Sequence, residues 1–200
     1  MEETKNAFIS ELLSKPPELL ASTWILDRIP LIFEENREEY AAWRHIFAIG
    51  LGVDASSIVI IGSCSFGVSL NPYKNYKFFD HKSDIDVAVV SEYHFTSAWR
   101  ALRNLGSEIH RLSPSAKQSV EDHVKKYIYW GTIATDRILH ILPFANEWRI
   151  AIDTMQNTLP TQGRIVRARI YRDFDSLRAY QVENLKKLRL NEIEKGVEDV

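Results

Sequence analysis

The sequence predicts an α/β protein of the α+β kind, with a small mixed β-sheet flanked by N-terminal, middle and C-terminal helices. Three observations point there. Apolar runs rich in β-branched residues, at 58–61 and 87–90, have the length of buried strands and are bounded by turn-forming residues. A third segment, 164–172, alternates Val166, Ala168 and Ile170 with Arg167, Arg169 and Tyr171, the period of a half-buried strand. The remaining stretches carry helical spacing with definable starts and stops.

Taken in order, residues 3–14 predict a short amphipathic helix with Phe8, Ile9, Leu12 and Leu13 on one side, stopped by Pro16 and Pro17. A second helical piece covers 18–28. A third covers 32–50, with Phe33, Tyr40, Trp43 and Phe47 facing the core and Glu34, Glu35, Arg37, Glu38 and Glu39 facing water. Gly50 and Gly52 are expected to end it. After the second strand, 95–105 is helical, and Ser113-Pro114 starts a helix that runs to 127. The stretch 130–156 reads as two helices broken at Pro143. Thr161-Gln162-Gly163 turns into the strand at 164–172, and Asp173 or Asp175 caps a last helix reaching 195. With no repeat, low-complexity tract or linker, the chain reads as one unit. Its parts are 1–55 (helical), 56–91 (strand, turn, helix, strand), 92–160 (helical) and 161–200 (strand and helix).

Two hundred residues, 45% of them hydrophobic and 11% aromatic, suffice for one sizeable core and argue against extensive disorder. A formal charge of −2 excludes a chain that grips duplex nucleic acid by net charge, though it leaves room for a local basic patch. The single cysteine, Cys64, excludes an internal disulfide and a cysteine zinc cage, and reads as a small filler in a turn. The acidic first residues lack a signal-peptide layout, and no run of eighteen apolar residues occurs. The expectation is a cytoplasmic protein without a membrane span.

The stretch 58–90 organises the rest. It opens with Ile58, Val59, Ile60 and Ile61, breaks into Gly62-Ser63, and closes with Ser83-Asp84-Ile85-Asp86 ahead of 87–90. Carboxylates separated by one residue on a strand share a face a few ångströms apart. Like charges so close call for a cation between them, and carboxylate oxygens suit magnesium or manganese. At the other end, a strand that turns at Gly-Ser into a helix points backbone N–H groups outward, as a phosphate requires. Gly62 allows close approach, and Ser63 and Ser65 add hydroxyls. Together these residues predict a site for a metal-bound triphosphate. The plainer alternative makes Asp84 a turn cap and Asp86 a surface residue, but the place of Asp86 between Ile85 and Val87 argues against it.

Gly62, Ser63, Asp84 and Asp86, with their interleaved apolar neighbours, resemble the signature of the DNA polymerase β-like nucleotidyltransferase superfamily. One departure is an inserted loop at 71–82. The resemblance implies a metal-dependent transferase of the two-metal type that moves a nucleoside monophosphate from a nucleoside triphosphate, ATP among them, to a hydroxyl acceptor. Asp84 and Asp86 would be the catalytic metal ligands, and Gly62, Ser63 and Ser65 would hold phosphates. It also implies a third carboxylate from a later strand, yet 164–172 contains no acid. Asp173 and Asp136 are the candidates; otherwise Asp84 and Asp86 act alone, with Arg169 near the phosphates or paired to an aspartate. Acceptors across the superfamily include antibiotics, RNA ends, proteins and other nucleotides, and some stand-alone bacterial members serve in signalling or antiphage defence. The acceptor, a partner protein and a homo-oligomer all stay open. The competing reading is a degenerate module of this fold that binds a nucleotide or a protein partner. In the inserted loop, Lys74, Lys77, His81 and Lys82 alternate with Tyr73, Tyr76, Phe78 and Phe79. They either grip a base or phosphate, or pack on the core. His123 and His140 read as packing or surface residues, and Trp130 and Trp148 as core.

Overall fold

The computed structural model describes residues 2–198. Its elements run α1 (Glu2–Ser14), α2 (Pro17–Leu20), α3 (Arg37–Leu51), β1 (Ile58–Ile61), α4 (Ser63–Phe66), β2 (Ile85–Val90) and α5 (Glu92–Leu105). They continue with α6 (Pro114–Asp122), β3 (Thr132–Ala134), α7 (Thr135–Ile138), α8 (Ala145–Gln156), β4 (Val166–Tyr171) and α9 (Phe174–Glu198). The four strands form one mixed sheet in the order β1-β2-β4-β3. β1 pairs antiparallel with β2, β2 parallel with β4, and β3 antiparallel with β4. This is the mixed α/β content that the periodicity predicts.

The two faces of the sheet differ in what the side-chain alternation puts on them. Ile85, Val87 and Val89 point into the main core with Trp43, Phe47, Phe95, Trp148 and Met155, contributed by α3, α5 and α8. Each aliphatic side chain fully buried there contributes about 1.5–3 kcal/mol. The opposite face carries Asp86, Ala88, Arg167, Arg169 and Tyr171, and α9 crosses part of it through Leu177 and Tyr180. A separate apolar cluster joins α1 and α2 to α9 and the loop after β1, with Phe8, Leu12, Leu20, Ile25, Phe66, Tyr76, Leu185 and Leu188.

Three expectations are corrected. The stretch 130–156 is not helical throughout: Thr132–Ala134 is the edge strand β3, and the helices α7 and α8 follow it. The third helix begins only at Arg37, where the Asn36 side chain accepts a hydrogen bond from Glu39 N. Gly50 does not end that helix but lies inside it. A Cβ there would stand 2.7 Å from the Ala151 Cβ, so glycine is what lets α3 and α8 pack so closely. Gly52, with φ +68°, forms the left-handed cap instead. The core placement holds for Trp148, while Trp130 is only half-buried.

Candidate functional site

β1 ends where Gly62 adopts φ +76° and ψ −162°, a conformation essentially restricted to glycine. Ile61 pairs with Asp86 across the ladder, so the turn comes directly against that carboxylate. A Cβ on Gly62 would lie 2.8 Å from Asp86 Oδ2. The turn and Asp86 therefore meet, and Asp84 lines the same cleft of about 730 Å³. Ser63 also lines it. Ser65 does not: its hydroxyl is buried and without a hydrogen-bond partner. Cys64 is buried too, donates to Ile61 O, and has its thiol pKa pushed up to about 12 by burial, which makes it a filler and no nucleophile.

The turn that presents Asp84 is held from both sides. Asp80 Oδ1 accepts from Lys82 N and Ser83 Oγ, each at 2.9 Å. Arg164 donates to Asp80 O at 2.7 Å and stacks over Phe79. Arg164 carries no sign of this role in the sequence, because its partners lie about eighty residues away.

β4 brings two arginines to the carboxylates. In the β2–β4 register Arg167 lies opposite Asp86 and Arg169 opposite Ala88. Arg167 Nε donates to Asp84 Oδ2 at 2.8 Å and its Nη1 to Asp136 Oδ2 at 3.2 Å. Arg169 donates to Tyr180 Oη at 2.8 Å and lies over the rings of Tyr127 and Tyr180, 5.3 and 5.4 Å from their centroids. Burial pushes the Asp86 pKa up; the Arg169 charge pulls it down, and the neighbouring Asp84 charge raises it again. Burial works against the charge on Arg169, but the surrounding tyrosines outweigh it and move its pKa further up.

The candidates for a third acid part ways. Asp173 caps α9, accepting from Ser176 N at 2.7 Å and pairing with Arg172, and its pKa is lowered to about 2 chiefly by the bonds to Ser176. Asp136, on α7, lines the cleft but reaches Asp84 only through Arg167. Among the described residues no group of three His, Cys, Asp or Glu side chains could hold a metal ion. Two hard oxygen donors on one strand edge do suit a single magnesium or manganese that draws its other ligands from phosphate and water.

The rest of the cleft is basic. Lys74, Lys77, Lys82, Arg137, Arg167, Arg169 and Lys187 line it, seven cations against the acids Asp84, Asp86 and Asp136. Lys77, Arg137 and Lys187 have acidic partners in Asp80, Asp122 and Glu183. Among the described residues Lys74 and Lys82 join no ion pair. In the loop 71–82 Tyr76 is buried against Phe8, as the packing reading expects, while Tyr73 is 94% exposed at the cleft rim. From α9 come Tyr180, Gln181 and Asn184, which no local motif marks.

His123 is a packing residue. Its Nε2 accepts from Ala134 N at 3.1 Å and its Nδ1 faces Ser119 O at 2.6 Å, which together set the neutral ring with hydrogen on Nδ1. His140 is exposed. Among the described residues no helix is long and apolar enough to cross a membrane. No family model, no curated protein and no solved structure matches the chain.

Proposed function

We propose that the chain is a nucleotidyltransferase, moving a nucleoside monophosphate from a nucleoside triphosphate to a hydroxyl acceptor with release of pyrophosphate. One observation carries this: the Gly62 turn lies directly against the Asp86 carboxylate, at the base of a basic cleft. A phosphate-binding turn and a cation-binding pair thus serve one ligand. Asp84 and Asp86 would hold one magnesium or manganese ion, which when bound supplies a Lewis acid that offsets charge on the phosphates. Ser63 and the backbone beside Gly62 would hold phosphate oxygens, with Lys74 and Lys82 as uncommitted cations along the wall. Arg169, fixed among tyrosines, would oppose the cost of burying the Asp86 charge. In the transfer the acceptor oxygen bonds to the α-phosphorus and its hydroxyl proton passes to water, as the bond to the pyrophosphate oxygen breaks and pyrophosphate leaves.

The test is incubation with each α-labelled nucleoside triphosphate and magnesium or manganese, reading pyrophosphate release and the fate of the label. Asp84→Asn and Asp86→Asn should each abolish turnover while the circular dichroism spectrum is kept. Wild-type rates in either variant would refute the assignment. A second reading has its own support: β4 presents Arg167, not an acid, opposite Asp86, and Asp84 is engaged by it. That favours a module that binds the nucleotide without turning it over. Saturable binding with no pyrophosphate under any metal would select it.

A further inference from the structure

We propose that Arg167 exchanges partners: it ties Asp84 to Asp136 in the ligand-free chain and passes to the polyphosphate when a divalent ion takes Asp84. The inference rests on Asp84 and Asp86 being the cation ligands. Its basis is the contrast between two arginines two residues apart on one face of β4. Arg169 is immobilised by the Tyr180 hydroxyl and by two aromatic rings. Arg167 is held only at its tip, and its fork is split between two carboxylates, Nε on Asp84 and Nη1 on Asp136. These side chains are 44%, 33% and 34% exposed, so water can replace either bond and both contacts are readily released.

Charge favours the exchange. The guanidinium donates to Asp84 Oδ2, so a divalent ion on that carboxylate would stand a few ångströms from it and be repelled. Before a ligand arrives, Arg167 and Arg169 balance most of the charge on Asp84, Asp86 and Asp136. A divalent ion alone would overfill the site. A metal-bound polyphosphate brings its own negative charge, to which a released planar fork can donate in pairs. Arg167 already lines the cleft in which that ligand would lie, so the exchange calls for movement of its side chain within that cleft.

Two titrations on the full chain test the exchange, comparing wild type with Arg167→Gln, Arg167→Lys and Asp84→Asn. Manganese alone is followed by the loss of its free-ion paramagnetic resonance signal. The methylene analogue of ATP, with manganese at saturation, is followed by calorimetry. Arg167→Gln should bind manganese about five-fold tighter and the analogue about ten-fold weaker, opposite signs from one substitution. Arg167→Lys, which keeps the charge without the fork, should fall between in both. Manganese affinity in Arg167→Gln that is unchanged or weaker overturns the exchange, as does unchanged binding of the analogue. A distinct failure, manganese binding in Asp84→Asn equal to wild type, overturns the cation site itself.

Discussion

Gly62→Ala probes the contact on which the site rests. An alanine there meets two penalties of different kinds. The backbone conformation at φ +76° and ψ −162° is all but closed to residues with a Cβ, and holding it costs about 1–3 kcal/mol. The new methyl would also stand 2.8 Å from Asp86 Oδ2 and 3.3 Å from Asp86 Cβ, closer than carbon and oxygen pack, so the carboxylate must rotate away. Against a total stability of about 5–15 kcal/mol the variant still folds, with a lower urea midpoint. Its manganese affinity should fall at least about ten-fold, which is about 1.4 kcal/mol. Gly52→Ala separates the two effects. Gly52 has φ +68°, but a methyl added there would meet nothing within 4 Å, so only the backbone penalty remains. That penalty is about 1–2 kcal/mol, and manganese binding should be unchanged. If Gly62→Ala keeps wild-type manganese affinity, or if Gly52→Ala loses as much, then Gly62 does not set the position of Asp86.

Three further outcomes follow from the same geometry. Arg169→Met removes the charge that opposes burial of Asp86, so the pH midpoint of manganese binding should move upward; an unmoved midpoint excludes that role. Asp173→Ala should cost about 1 kcal/mol in urea unfolding through loss of the α9 cap, with manganese binding untouched, and weakened binding would make Asp173 a metal ligand after all. His94 and His123 have pKa values lowered by burial from the usual 6.5, so each favours the folded state in its neutral form. Their contribution is complete above pH 6.5 and is lost as pH falls below it toward the folded values, so melting temperature should drop on acidification through that window. His123→Gln should flatten part of that slope, and an unchanged slope would rule His123 out.

What the sequence revealed and what it hid divides by range. Asp86 takes the cleft side because strand periodicity is local, Asp84 joins it from the turn just before β2, and Gly62 reads as a close-approach glycine because strand and turn are adjacent. β3 was hidden because three residues, Thr132 to Ala134, are too few to show a period, and pairing with β4 alone makes them a strand. Gly50 looked like a helix stop because its reason, Ala151, belongs to another helix. The alternation of 164–172 correctly put Arg167 and Arg169 on one side. Which acid each would meet depends on strand order, and β4 sits beside β2 only through a long crossover. Of the tyrosines around Arg169, Tyr180 comes from the helix that follows β4 and Tyr127 from a segment far back in the chain, and neither position is marked by strand periodicity.

The wall of the cleft has a foundation of its own. Tyr180, Gln181, Asn184 and Lys187 stand on α9, whose underside is seated on the first two helices. Arg189 reaches the carbonyls of Leu12 and Lys15, and Arg178 reaches Glu18 O and Ser22 Oγ. Substitutions at Phe8, Leu12 or Leu20 should thus tilt a wall of the cleft that they support from beneath without lining it, while the sheet stays intact. In this molecule, distance from the cleft is a poor guide to what matters for it.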